Sequence, residues 1–338
     1  MKLHKLMPLY YIAFTLLLTG CRGCSQSEQP LKFLTTPNNK SNLSPFVKTK
    51  KDTITAAHAP SAITRNIIED SDGNIWFATF QGIIKYDGLT YNNITEGVSE
   101  DRFFSIIDDS RGLFWFGSIG GGVYTYDGQS FQHLTTDDGL VDDRVPTIYE
   151  DRKAHIWFGT IDGLSLYRDG VFENFTAEEG LLDADVNSII EDQNGIYWLG
   201  TRGAAYTYDG IKFSKIITKD GRSFQNVRHV LQDSKDNIWM GGNDGLWRYD
   251  GKEYKNFTHD FVGYIYEDSD SNIWISSQGS TNPGWSLSRY DVMTLEADVP
   301  SVSHLSIGNE MLFGIVEDTD KNIWVGHLNG VYRYATLH

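Results

Sequence analysis

Cysteine, basic charge and long apolar runs are all scarce in this chain of 338 residues, and each shortage excludes something. There are two cysteines, Cys21 and Cys24. If Cys21 carries a lipid, as argued below, Cys24 has no partner within the chain, so an internal disulfide or a cysteine metal site is excluded. Lysine and arginine number 29 against 45 acidic residues, a formal net charge of −16. That balance speaks against nucleic acid, whose phosphates demand a basic stripe. The apolar stretch from Leu9 to Leu18 is too short to span a bilayer. After the N-terminal region no segment carries a convincing helical period. Nor is there a Ser–His–Asp order, a Gly-rich phosphate loop or a metal-ligand pair, and no cofactor is expected.

What the chain has is repetition. Glu69-Asp70-Ser71-Asp72-Gly73-Asn74-Ile75-Trp76 returns as Glu191-Asp192-Gln193-Asn194-Gly195-Ile196-Tyr197-Trp198 and as Glu317-Asp318-Thr319-Asp320-Lys321-Asn322-Ile323-Trp324. Trp76, Trp115, Trp157, Trp198, Trp239, Trp274 and Trp324 mark seven units with a period of about 40 residues. Residues 186–226 show one unit. Four short runs of β-branched and aromatic residues are separated by Asn-Gly and Asp-Gly turn signals, which read as an antiparallel meander. Asp87-Gly88, Asp127-Gly128, Asp169-Gly170, Asp209-Gly210 and Asp250-Gly251 suit type I′ hairpins, which need positive φ at both central residues. A lone four-stranded sheet cannot bury both faces, but seven around an axis can. The fold expected is therefore all-β, a seven-bladed β-propeller of four-stranded antiparallel blades. The marker tryptophans should lie between blades. The seventh unit lacks a fourth strand, and the segment near residues 45–55 is expected to supply it and close the ring.

The repeat Val-x-x-Ile-x-Glu-Asp-x-x-Gly-x-x-Trp-x-Gly-Thr-x-x-Gly-Leu-x-x-Tyr-Asp-Gly, clearest around Ile156-Trp157-Phe158-Gly159-Thr160-Ile161-Asp162-Gly163-Leu164, resembles the two-component regulator propeller repeat. The resemblance implies a role like that of the periplasmic sensors of membrane histidine kinases, which are associated with sugar or polymer sensing. The chain departs from that layout in lacking a downstream transmembrane helix, a further β-sandwich and a kinase. Its repeats also resemble those of streptogramin lyases, which are enzymes.

At the N-terminus, Lys2, His4 and Lys5 precede the short apolar stretch, and Leu18-Thr19-Gly20-Cys21 matches a bacterial lipobox. The domain reading is a lipoprotein signal peptide at 1–20 with lipid on Cys21, a flexible tether at 21–44, and the propeller at 45–338. The chain is expected in the cell envelope, at the periplasm or outer membrane.

Two features mark a candidate site on the face bearing the connections between blades. First, the link between repeats five and six is short. Repeat six carries extra residues in Ser276–Trp285, and the connection through His304 and Asn309-Glu310 reads as slightly long. A groove between them would let Trp285 stack on a sugar-like ligand and Gln278 or Asn282 hydrogen-bond it. Second, Arg65, Arg102, Arg144 and Arg228 stand at the starts of first strands, with Arg202 in a loop on the same face. They can grip a carboxylate, sulfate or phosphate, or simply pair with Asp101, Asp143 and Asp185. His229, His327 and Glu310 form a weaker catalytic candidate. The reading favoured is a lipid-anchored module that binds a saccharide or other polar anionic ligand, or senses it. The alternatives are a scaffold docking another envelope protein and a lyase-like or polysaccharide-related enzyme.

Overall fold

The computed structural model describes residues 50–54, 56–279 and 284–335. Seven four-stranded antiparallel sheets follow one another around a ring. Their first strands, Thr64–Glu69, Phe103–Asp108, Thr147–Glu150, Val186–Glu191, His229–Gln232, Phe261–Glu267 and Leu312–Glu317, line the axis. The seventh sheet takes its outer strand from the N-terminal side: Lys50–Thr53 pairs antiparallel with Gly330–Ala335, Lys50 opposite Ala335 and Thr53 opposite Tyr332. The expected closure is thus present, and the outer edge of the last blade is paired. Among the described residues no helix is long and apolar enough to cross a membrane.

Each blade-to-blade contact is its own apolar core. Trp76 packs with Phe103, Ile106 and Phe116 of the next blade, and Trp198 packs with Val227, Val230 and Met240. Trp324 of blade 7 packs with Ile67, Phe77 and Ile84 of blade 1. The indole N–H would be costly to bury unpaired. In every blade it donates to the aspartate six residues earlier, at 2.7 to 3.0 Å. The same carboxylate accepts backbone N–H groups of its turn, as Asp70 does from Asp72 and Asn74. The repeated Asp and Trp are therefore one device: a turn and a strand locked by one buried carboxylate. Among the described residues no group of three or more His, Cys, Asp or Glu side chains could hold a metal ion.

The glycine two residues after the tryptophan has a steric cause. A Cβ on Gly200 would lie 2.7 Å from Val227 Cγ1 in the next blade. The Glu of the Glu-Asp pair reaches the other neighbour. Glu150 accepts from Ser110, Glu267 from Ser234 and Glu317 from the Ser269 N–H.

The hairpins differ from expectation. Only Asp169-Gly170 has both φ values positive, 52° and 82°. At Asp87-Gly88 the strands pair only from Tyr86 and Tyr91 outward. Asp87 Oδ1 there accepts the N–H groups of Leu89 and Thr90. The side chain closes the turn, so only the glycine need be left-handed.

Candidate functional site

The two kinds of turn divide the ring. The Glu-Asp turns and the Asp-Gly hairpins emerge on one face, here the lower. The connections between blades emerge on the upper face, where they are long except at two places. Only residues 259–260 join blades 5 and 6, and only 309–311 join blades 6 and 7. The short link before blade 6 is as expected. The link after it is not long, because His304 belongs to the fourth strand, Val302–Gly308. The extra residues of blade 6 go partly into longer strands, Ile273–Gln278 and Trp285–Tyr290, which pair to their ends at Gln278 and Trp285.

That pairing buries Trp285, which is 4% exposed. Its ring meets Phe261 edge-on at 5.7 Å and joins the core between blades 6 and 7 with Leu287, Leu312 and Ile315. A strand-end indole beside an apolar neighbour packs inward, so the ring face expected for stacking on a sugar is covered. Gln278 is half-buried at the strand end. Asn282 and Cys21 lie outside the described residues.

The arginines separate into two groups. Arg102, Arg144 and Arg202 are exposed on the upper rim. Arg144 forks onto Asp142 at 2.8 and 2.5 Å, and Arg202 reaches Asp185 at 3.5 Å. Arg65 and Arg228 instead line the central channel, a cavity of about 590 Å³ walled by the first strands of all seven blades.

A backbone irregularity accounts for the place of Arg65. In blade 1 Thr64 pairs with Thr79 and Asn66 with Ala78, leaving Arg65 as a bulge. Phe104, Asn187 and Gly263 are the bulge residues of blades 2, 4 and 6, and Phe313 lies within the bulge of blade 7. A bulge re-aims its extra side chain, and here it feeds one layer of the channel. Burial lowers Arg65 to about 9, with the charge of Arg228 adding to the effect. Arg228 is also lowered by burial, with Asp185 acting against the shift.

Below this layer sits His229, its ring tilted against that of Tyr264 with centroids 4.0 Å apart. Its Nδ1 is buried without a partner among the described residues. Burial pushes its pKa down to about 4, so it is neutral at physiological pH.

Of the catalytic candidates, the structure joins His327 and Glu310, Nδ1 to Oε2 at 3.3 Å, but His229 belongs to the channel wall. His327 stacks on Tyr332 at 3.8 Å, and the Tyr332 hydroxyl donates to Glu310. Blade 2 repeats this: His133 stacks on Tyr124, whose hydroxyl donates to Asp101 at 2.7 Å. Blade 4 has Tyr206 on Asp183 at 2.7 Å. A motif that pins a connection to the third strand in three blades is structural. The channel bulge was not legible from strand alternation alone; the signal available was the offset of each arginine from its turn aspartate.

The two component regulator propeller profile matches residues 59–81, 180–203 and 256–279. No curated protein sequence matches the chain significantly. Among solved structures, one similar fold is the extracellular domain assigned to the hybrid two component system BT3049 of B. thetaiotaomicron. It has 20% identity and a TM-score of 0.68, covering 81% of this chain and 39% of that one. The extracellular domain of BT4673 from the same organism has 19% identity and a TM-score of 0.69, covering 84% and 39%. This chain thus spans about two fifths of either structure. A catalytically inactive virginiamycin B lyase from Staphylococcus aureus with quinupristin has 12% identity and a TM-score of 0.65, covering 86% and 100%. At these identities the likeness is one of fold. The profile's three stretches fall at corresponding places in blades 1, 4 and 6, each taking in the first and second strands of its blade.

Proposed function

We propose that the protein is an extracytoplasmic binding module, anchored by lipid at Cys21, that takes a polar anionic ligand such as an acidic saccharide at its upper face. One observation carries this reading. In a chain of net charge −16, arginines gather at the upper mouth of an open channel, while the turns of the lower face are occupied with holding blades together. Loops on a rigid scaffold are the usual place for recognition. Lys50 begins the outer strand of blade 7 at the lower face, so the described chain enters the ring there. The two extracellular relatives support an envelope setting, and the chemistry of the rim favours an anionic ligand over a neutral one.

The test has two arms. Fatty-acid labelling in a bacterial host should mark the wild type and not Cys21→Ser. The purified protein should retain acidic polysaccharides in preference to neutral ones, with retention falling as salt rises. Equal labelling removes the anchor, and retention of neutral glycans alone removes the ligand class.

A further inference from the structure

The channel holds two cations, Arg65 and Arg228, that form no ion pair with any described carboxylate. Arg65 lies between two phenyl rings, its guanidinium 4.6 Å from the centroid of Phe104 and 4.3 Å from that of Phe313. Stacking covers the faces of a guanidinium and leaves its edge, where the N–H donors are, pointing outward. No described residue accepts a hydrogen bond from that edge, and no described carboxylate forms an ion pair with it. Arg228 comes from blade 5, three blades from Arg65 by the shorter way round and so nearly across the channel. Its partners are neutral amide oxygens, Asn187 Oδ1 at 3.3 Å and Asn226 Oδ1 at 3.4 Å.

The nearest acids among the residues lining the cavity are a layer away, while Asp185, outside that lining, acts on Arg228 through its charge. Glu69 and Glu317 line the lower part of the cavity, four residues down from Arg65 and Phe313, roughly 13 Å along a strand. Both are already engaged, Glu69 with Thr319 and Glu317 with Ser269. Ile68, Ile190, Leu231 and Val316 lie between the two layers and keep the charges apart. Two half-buried guanidinium groups facing one cavity repel one another, at a cost in free energy in the empty protein. A bound anion removes that cost.

We propose that the upper channel is an oxyanion site in which Arg65 and Arg228 act as two arms on a carboxylate, sulfate or phosphate group. It deepens the reading given above by naming the group recognised and where it sits. A path leads to it from the rim. The exposed Arg102 lies 5.7 Å from the ring of Phe80, Phe80 stacks on Phe104 at 5.3 Å, and Phe104 carries Arg65. Alternating cations and rings suit the acidic end of a larger molecule as well as a free ion.

Calorimetric titration of the full chain tests it, using sulfate, acetate and glucuronate against chloride at fixed ionic strength. Wild type should show saturable one-site binding. Arg65→Met and Arg228→Met should each weaken it roughly tenfold or more, while the exposed Arg168→Met, whose partner is Glu173, should not. Unliganded Arg65→Met should melt no lower than wild type, which an arginine of merely structural value would not allow. If the methionine variants misfold, Arg65→Lys and Arg228→Lys keep the charge without the planar fork and should still bind more weakly. Glucuronate binding tighter than acetate assigns the anion to a sugar acid, and parity assigns it to the carboxylate alone. Absence of saturable binding by any probe, or wild-type affinity in both lysine variants, overturns the proposal. Failure of polysaccharide retention with sulfate still bound would remove only the broader reading.

Discussion

Glu69 of the first blade accepts two hydrogen bonds from Thr319 of the last, from the backbone N–H at 3.0 Å and the hydroxyl at 2.8 Å. This bond closes the ring on the lower face, as the strand Lys50–Thr53 closes it at the outer edge. The two closures should differ in weight. Glu69→Ala leaves an exposed pair unmade and should cost about 1 kcal/mol. Removing residues 1–53 should lower the melting temperature much further and promote association, because Gly330–Ala335 becomes an open edge. Thermal unfolding with light scattering checks both. Equal small shifts would show that the terminal strand contributes little.

The buried carboxylate of each turn makes a sharper case. Burial alone would raise Asp109, but hydrogen bonds from Trp115, Arg111 and Leu113 outweigh it and hold its pKa below the usual value. Asp109→Ala should strand the Trp115 indole N–H and two backbone donors and cost about 2–4 kcal/mol. Asp109→Asn keeps one acceptor and should cost less. Chemical denaturation of the two variants gives the comparison, and an unperturbed midpoint for the alanine variant would refute this role.

Acid stability should report His229. Its pKa falls from 6.5 in the unfolded chain to about 4 in the fold, through burial. Between those values the unfolded chain binds the extra proton, so stability is full above about pH 6.5 and declines on acidification, by at most about 3 kcal/mol. The turn aspartates with lowered pKa lose their contribution only further down, below the ordinary aspartate range. Asp108, raised by burial and by Asp70, works in the opposite sense. Melting temperatures at pH 7 and pH 5 should therefore differ less in His229→Phe than in wild type. An identical slope in both would assign the acid sensitivity elsewhere.

How much of this was legible in the sequence follows from what kind of signal each feature leaves. Seven tryptophans at a steady period leave little choice of architecture, and the missing fourth strand after Tyr334 pointed to its replacement by the N-terminal segment. The arginines show where the signal ends. Arg65 and Arg228 stand five residues before their turn aspartates, Asp70 and Asp233, whereas Arg102 and Arg144 stand seven before Asp109 and Asp151. A difference of two keeps side chains on one face of a regular strand. The bulge breaks that rule, sending Arg65 into the channel and leaving Arg102 on the rim. Bulges carry no composition of their own here, since Arg, Phe, Asn and Gly all occupy the position. The hairpins were misread for a related reason: an aspartate side chain replaced the backbone geometry that Asp-Gly usually signals.

Trp285 gives the last prediction, and it turns a binding residue of the sequence reading into a core residue. A tryptophan next to an insertion on the functional face is equally consistent with an exposed platform and a buried plug. The deciding fact is its partner on the next strand. Trp285 pairs with Gln278 at the end of a lengthened hairpin, and its ring lies over Gly263 and against Phe261. Gly263 has no side chain to compete for that space, so the indole fills it. Trp285→Ala should then destabilise the ring by about 3–5 kcal/mol, the range for emptying a large aromatic site. Gln278→Ala, half-buried and without a core role, should change stability by less than about 1 kcal/mol. Denaturant unfolding followed by circular dichroism separates the two outcomes. A Trp285→Ala variant as stable as wild type would return the ring to the surface and reopen its role in stacking on a ligand.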